Sequence, residues 1–316
     1  MTDPTSATRR SVLLGLGAAV ATGSAAVSAS AAEGWAVEET ETDSTLHAVV
    51  AADAGWFAVG DGGVLTTRGA DGWVTLRDGG PTGNGNDLYG AAVTDDGERV
   101  WVVGASGAIG EYDPATDTLV DRSAPMDNTN NYNAVAVTGE AGAANVYVAG
   151  DSGKIYYSFA NGETGTWEYV TPGSGSALPA IDFHGPRSGH AIDTNGRVFA
   201  TDDGATWQAI GVEDADVTFY GLDSDAPDDV TVSGGNGVVL SYDGARWVPT
   251  ALGDADLVDV ETDGVDGLVV GSGGVVQSLS ATGRVLLDTP TGENLNAVGR
   301  ADETVVVGDS GLVLSK

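Results

Sequence analysis

The chain has 316 residues, no cysteine and a formal charge of −33. Without cysteine it can form no disulfide, no thiol nucleophile and no cysteine-based metal site. A charge of this sign repels nucleic acid and anionic lipid, so neither is expected as a partner. The hydrophobic fraction of 41% and the frequent β-branched runs indicate a folded domain with an acidic surface rather than a disordered chain.

The acidity runs along the whole chain, in which Lys154 and Lys316 are the only lysines. We interpret it as an adaptation to high salt, because a dense layer of carboxylates keeps a protein surface hydrated when water activity is low. A surface that binds calcium is the alternative interpretation.

The N-terminal segment has the features of an export signal. Arg9 and Arg10 precede a mildly hydrophobic run from Val12 to Val27, and small residues follow at Ala29–Ala32. This order resembles a twin-arginine signal peptide. It predicts a signal over residues 1–31, a single domain over residues 32–316, and an extracellular or cell-envelope location. The alternative is an uncleaved membrane anchor, but the run is short and glycine-rich for one.

A short glycine-rich turn then recurs seven times, and the last glycine of each turn lies 37 to 46 residues after the previous one. A period near forty with several short strands in each period is typical of β-propeller blades. The fold class predicted is therefore all-β, a seven-bladed β-propeller. The seven turns are Gly60–Gly63, Gly104–Gly107, Gly150–Gly153, Asp193–Gly196, Gly234–Gly237, Gly271–Gly274 and Gly308–Gly311.

Each period contains four β-type runs bounded by Gly, Asn and Asp. In the first period we predict strands over Leu46–Val50, Gly55–Val59, Val64–Thr67 and Trp73–Leu76. No sustained helical periodicity occurs after the signal, so almost no helix is expected.

The seventh period is incomplete, because it has three strands and the printed sequence stops at Lys316. The missing outer strand begins with Trp in four earlier periods, and Gly34–Glu39 carries a Trp at the matching position. We therefore predict that this N-terminal segment completes the last blade and closes the ring.

One turn, Ala200–Trp207, has the pattern Ala-Thr-Asp-Asp-Gly-Ala-Thr-Trp, and Ser241–Trp247 is a shortened form of it. This pattern resembles the Asp-box of neuraminidase-type repeats, with Ala200 as a departure at the first position. Together with the Val-Gly-Asp-x-Gly turns, it makes the chain similar to YVTN/BNR-like propellers, including photosystem II assembly-factor-like proteins. We expect Asp202 to accept backbone N–H bonds in a structural turn, with Trp207 packed beneath it.

In a propeller, the turns between second and third strands lie on one face around the central channel. The predicted binding residues on this face carry short oxygen-bearing side chains, which can hold a polar ligand, a protein partner or, weakly, a cation. The same residue types are also what tight turns require. The candidates are Asp61, Asp151, Ser152, Asn195, Asn236, Ser272, Asp309 and Ser310.

His184 and His190 flank a turn and could approach one another, but no third metal ligand is evident, so whether a metal binds stays open. His47, alone in an inner strand, is expected to line the channel or to pack. No catalytic residue and no cofactor is predicted.

The sequence therefore favours an exported, non-enzymatic propeller that serves as a protein-binding or assembly scaffold in high salt. The alternative is an extracellular glycan-binding or neuraminidase-like glycoside-hydrolase propeller. Such an enzyme would need three converging arginines, a Tyr nucleophile paired with a Glu, and an Asp that acts as the catalytic acid. No spacing in the sequence indicates that these groups share a pocket.

Overall fold

The computed structural model describes residues 34–212 and 216–316. The predicted signal over residues 1–31 lies outside this part. The described residues form 28 strands in seven four-stranded antiparallel sheets, and their only helices are short 3₁₀ turns. No helix among them is long and apolar enough to cross a membrane.

The first strand of each sheet contacts the first strands of both neighbouring sheets, so the seven sheets close into a ring around a central channel. This confirms the predicted seven-bladed propeller. From the channel outward, blade 1 holds β2 (Leu46–Ala52), β3 (Gly55–Gly60), β4 (Leu65–Gly69) and β5 (Gly72–Arg77); blade 2 holds β6 (Leu88–Val93), β7 (Val100–Gly104), β8 (Ile109–Asp113) and β9 (Thr118–Asp121); blade 3 holds β10 (Tyr132–Thr138), β11 (Asn145–Gly150), β12 (Ile155–Ser158) and β13 (Glu168–Val170); blade 4 holds β14 (Ala180–Phe183), β15 (Gly189–Ile192), β16 (Val198–Thr201) and β17 (Gln208–Ala209); blade 5 holds β18 (Phe219–Ala226), β19 (Asp229–Gly234), β20 (Val238–Tyr242) and β21 (Trp247–Ala251); blade 6 holds β22 (Leu257–Asp263), β23 (Asp266–Gly271), β24 (Val275–Ser280) and β25 (Gly283–Leu287); and blade 7 holds β26 (Leu295–Arg300), β27 (Thr304–Gly308), β28 (Val313–Ser315) and β1 (Ala36–Val37).

The core lies between blades rather than within them. Phe57 and Leu65 of blade 1, for example, pack with Leu88 and Val102 of blade 2 in one buried cluster. Because each sheet buries apolar side chains against a neighbour on both faces, every blade depends on two others for its stability.

The repeated glycine at the end of each turn is explained by a close approach. Gly311 has a φ of +70°, and a Cβ at this position would lie 1.9 Å from the carbonyl oxygen of Thr42. At Gly63, where φ is +75°, a Cβ would lie 2.3 Å from the backbone nitrogen of Gly80. Both the left-handed conformation and the neighbouring backbone therefore require glycine.

The N-terminal segment closes the ring as predicted. β1 pairs antiparallel with β28, with Ala36 opposite Ser315. Trp35 is 1% exposed and packs among residues of blades 6 and 7, including Val270 and Leu314. The outermost strand of blade 7 thus comes from the opposite end of the chain from its other three strands.

The same segment continues onto blade 1. The backbone N–H of Trp73 donates to the carbonyl of Glu39 over 2.8 Å. Arg68 of blade 1 forms ion pairs with Glu38 of this segment and with Glu303 of blade 7. The N-terminal segment therefore ties the first blade to the last.

Candidate functional site

One mouth of the channel opens on the face that carries the turns between second and third strands, which we call the turn face. A cavity of about 340 Å³ at this mouth is lined by residues from the start of the inner strands. In each blade a nearly fully buried anchor residue precedes the residue that lines the mouth, because successive side chains of an extended segment point in opposite directions. The mouth residues are His47, Tyr89, Asn133, Pro179, Tyr220, Val258 and Asn296, and the anchors before them are Leu46, Leu88, Tyr132, Leu178, Phe219, Leu257 and Leu295.

Three of the predicted turn aspartates hold these mouth residues in place. The Asp61 Oδ1 atom lies 2.7 Å from His47 Nε2. Asn133 donates from Nδ2 to Asp151 Oδ1 over 2.9 Å. In blade 7, Asn296 and Asp309 form the same contact over 3.0 Å. These aspartates are therefore positioning groups for the channel mouth.

The other predicted turn residues lie on the rim of the turn face, outside the lining of the mouth cavity. Asn195 donates to Ser176 Oγ over 2.6 Å. Asn236 and Ser310 adopt the left-handed conformation, with φ of 56° and 58°. Ser152 and Ser272 occupy the matching turns of blades 3 and 6. The structure thus brings the candidates to one face but not into one pocket.

Tyr89 and Tyr220 are mouth residues that were not predicted. Burial raises the pKa of Tyr89, and the nearby carboxylates of Asp87, Asp61 and Asp151 raise it further. The pKa of Tyr220 is raised by burial and then by Asp256. Each phenol ring therefore stands beside carboxylates, an environment that suits a cation. The feature that could have identified Tyr89 and Tyr220 as mouth residues is their position directly after a buried anchor residue.

Hydrogen bonds between blades make the turn face rigid. Asp87, which precedes the inner strand of blade 2, accepts the N–H of Gly62 in the turn of blade 1 over 2.8 Å. Asn131 of blade 3 accepts the N–H of Ser106 in blade 2 over 3.0 Å. The same contact recurs where Asp256 accepts from Asn236 and where Asn294 accepts from Gly273. The turns of blades 1, 2, 5 and 6 are thereby fixed to the next blade.

The opposite end of the channel has a cavity of about 430 Å³, with acidic residues on blades 4, 5 and 6 and small aliphatic residues on blades 1, 2 and 3. The acidic side chains bind backbone amides of the next blade. Asp182 accepts the N–H of Ser224 over 2.9 Å, and Asp259 accepts the N–H of Val298 over 2.8 Å. Burial raises the pKa of Asp259 to about 6. These carboxylates serve the packing of the ring.

The two histidines meet at Ser224 of blade 5. The Nδ1 atoms of His184 and His190 lie 3.0 Å and 2.7 Å from Ser224 Oγ. Within residues 34–212 and 216–316, no group of three or more His, Asp or Glu side chains could hold a metal ion. Burial, and then the neighbouring His184, lower the pKa of His190 to about 4. The histidine pair packs blade 4 against blade 5. With its lowered pKa, His190 is uncharged near pH 7.

This pKa predicts a pH dependence of stability. Between about pH 6.5 and pH 4 an unfolded chain protonates this histidine while the folded chain does not, so stability falls by up to about 3 kcal/mol as the pH is lowered. We expect the His190→Gln variant to lose less stability over this interval than the wild type. Urea unfolding at pH 7.5, 5.5 and 4 measures the difference. Parallel pH profiles for the two proteins would contradict it.

The Asp-box-like turn differs from the expectation by one residue. The backbone N–H groups of Ala205 and Thr206 donate to Asp203 Oδ1, over 2.8 Å and 2.7 Å, rather than to Asp202. These two N–H bonds are the main reason that the pKa of Asp203 is lowered to about 2. Asp243 accepts the equivalent pair of N–H bonds in blade 5. Asp203 and Asp243 each directly precede a glycine, so the aspartate that accepts the N–H bonds of the turn is the one before the glycine. Asp202, one residue earlier, is exposed.

The arginines are distributed around the ring. Arg77, Arg99 and Arg122 pair with Asp117, Asp113 and Glu111, all in or beside blade 2. Arg246 pairs with Asp243 in blade 5. Of the arginines that the structure describes, Arg300 alone lines one of the two channel cavities. The three converging arginines of a neuraminidase-like site are not assembled in this part of the chain.

The chain matches no protein-family model and no curated protein in sequence. Its structure is similar to those of known propellers. YCF48 bound to D1 peptide aligns with a TM-score of 0.71 and 13% identity over 89% of this chain and 96% of that one. YCF48 from Cyanidioschyzon merolae gives a TM-score of 0.68 and 14% identity, with 89% and 98% covered.

An enzyme has the same architecture. A catalytically inactive virginiamycin B lyase from Staphylococcus aureus with quinupristin aligns with a TM-score of 0.75 and 10% identity, over 89% of this chain and 98% of that one. At these identities the likeness establishes the seven-bladed β-propeller class. The activity has to be argued from the site, because one fold carries many functions.

Proposed function

We propose that this protein is an exported, non-enzymatic β-propeller that acts as a protein-binding or assembly scaffold in a high-salt environment. Its partner binds at the mouth of the channel on the turn face. The observation that carries the proposal is a preformed mouth in which Tyr89 and Tyr220 stand beside carboxylates on a hydrogen-bonded ring. Export is supported by the arginine pair and the apolar run at the N-terminus, and the salt setting is supported by the charge of −33.

The chemistry of the mouth favours a basic segment of the partner. Aromatic rings attract Arg and Lys side chains through their π-faces, and neighbouring carboxylates add ion pairing. The Oδ1 atoms of Asn133 and Asn296 can accept N–H groups of a peptide backbone, whereas each Nδ2 already donates to its own turn aspartate and to a backbone carbonyl of the next blade. The similarity to a propeller that was solved with a bound peptide agrees with a peptide segment as the partner.

One specific observation supports the alternative function, glycan binding. Tyrosine rings and asparagine amides, which line this mouth, are also side chains that can stack on and hydrogen-bond to sugars. The surrounding carboxylates can accept hydrogen bonds from the hydroxyl groups of a glycan, but they form ion pairs only with a cationic partner such as a basic peptide.

The proposal predicts that an arginine-rich peptide binds this protein and that a glutamate-rich peptide of equal length does not. We expect the double change Tyr89→Ala and Tyr220→Ala to weaken binding by roughly tenfold, since each cation–π contact contributes about 0.5–1 kcal/mol. Fluorescence anisotropy of the labelled peptides at several salt concentrations measures the affinities.

Tyr169→Ala is the matched control, because Tyr169 is 49% exposed on the outer strand of blade 3, away from the channel. Equal losses in the control and the double variant would contradict a site at the mouth. Binding of a glycan that is lost on the double change, without peptide binding, would favour the alternative.

A further inference from the structure

The outer strand of blade 6, β25, is an open sheet edge of unusual composition for this chain. β25 pairs with β24 on one side and ends the sheet on the other. Val285 and Leu286, adjacent on this strand, are 58% and 60% exposed. Together with Val265 of the same blade, they are the three most exposed large hydrophobic residues in the part of the chain that the structure describes.

The other outer strands are protected in ways that prevent further pairing. β5 is partly covered by the N-terminal segment through Glu39. β21 carries Pro249, and proline cannot donate to a new strand. β1, β13 and β17 have two or three residues each, and β9 carries Asp121. β25 has five residues and neither proline nor an acidic side chain.

The stretch of sequence that contains β25 and leads into it is also free of acid. No Asp or Glu occurs between Asp266 and Asp288, and this is the longest such interval within residues 34–316. Arg284 is the only charged residue in it. Two molecules with a charge of −33 each repel one another, so a close contact between them is least costly where acidic groups are missing. A strongly basic partner would instead be drawn to the acidic surfaces elsewhere.

We propose that β25 is a self-association surface, and that two copies of this chain pair through it as antiparallel strands about a two-fold axis. An axis at Leu286, with the pairing continued to Asp288 directly after β25, sets each Arg284 opposite Asp288 of the other copy, because both residues lie two positions from the centre. Leu286 then faces its own equivalent across the axis. Antiparallel pairing in this register therefore gives two opposite-charge pairs and an apolar centre.

The charge pattern also disfavours parallel pairing of two copies at this edge. Parallel pairing in register would set Arg284 against Arg284 and Asp288 against Asp288, which is unfavourable. Since β25 is the outermost strand of its blade, the antiparallel pair leaves both channel mouths free. The dimer would present two mouths to a partner, and its formation does not depend on the function proposed for the mouth.

Analytical ultracentrifugation in about 2 M salt, where charge repulsion is screened, tests this proposal. We expect a mass twice the 31.7 kDa of the chain at protein concentrations up to about 100 μM, within the affinity range of modest interfaces. Leu286→Lys should weaken the dimer by at least roughly tenfold. Val248→Lys, at a residue that is 43% exposed on β21, is the control and should leave the dimer unchanged.

A charge exchange tests the register. Arg284→Asp alone and Asp288→Arg alone should each weaken the dimer, and the double variant should restore it. All four residues changed are exposed, and a melting temperature equal to that of the wild type verifies folding. A wild type that stays monomeric, a dimer indifferent to Leu286→Lys, or a double exchange that fails to restore pairing would overturn the proposal.

Discussion

Replacing Trp35 by alanine is expected to lower the free energy of unfolding by about 3–5 kcal/mol, because it empties a buried indole site between blades 6 and 7. Trp35 packs with Val276, Val306 and Leu314, and it is the anchor of the strand that closes the ring. Losing it weakens both the last blade and its neighbour. Urea unfolding at constant salt measures the change.

The control for this prediction is Val37→Ala in the same short strand. Val37 is 43% exposed, so its truncation should cost less than about 0.5 kcal/mol. A Trp35→Ala variant as stable as Val37→Ala would show that the N-terminal segment contributes little to closure. The structure would then hold together without its N-terminal strand.

Stability should also rise steeply between 0.1 M and 1 M salt, an effect that acts on the whole molecule. The Debye length shrinks from about 10 Å to about 3 Å over this range, and it then becomes shorter than most distances between surface carboxylates. One acidic group shows the repulsion locally: burial raises the pKa of Asp229, and then Asp225, Asp228 and Asp263 raise it further. Thermal unfolding in a salt series measures the effect.

The Asp229→Asn variant tests whether repulsion between carboxylates causes the salt dependence. A pKa raised in the folded state means that the ionised carboxylate costs stability once the pH exceeds that pKa, so the amide should stabilise the protein at pH 7 in low salt. The advantage should shrink in 1 M salt. A melting temperature of the wild type that is flat across the series would argue that the acidity serves a ligand site instead.

The architecture was predictable because the turn glycines repeat at the period of a blade, and their spacing depends only on local chain geometry. The closing strand was predictable for a similar reason, since Trp35 matches the position that Trp73 and Trp247 occupy in complete blades. Both features could be recognised from a local sequence pattern that recurs from blade to blade.

The details of the site depend on contacts between blades, which sequence spacing defines less sharply. Asp259 binds the amide of Val298, and Asp182 binds that of Ser224, at separations of 39 and 42 residues. Because the period varies, the register between neighbouring blades could not be read from the repeat. The turn aspartates were predicted as candidate binding residues on one face, and the structure shows in addition that Asp61, Asp151 and Asp309 each contact a mouth side chain of their own blade.

The pairing of β1 with β28 has a consequence for the order in which the protein can fold. Val37 and Leu314, which face each other in the closing sheet, belong to the first and last of the 28 strands that the structure describes. The last blade is therefore complete only after all of these strands have been made, and its closing contact has the largest sequence separation of any strand pair among them. Until then β28 has no outer neighbour and Trp35 has no pocket. We therefore expect closure of the ring to be a late step in the folding of this propeller.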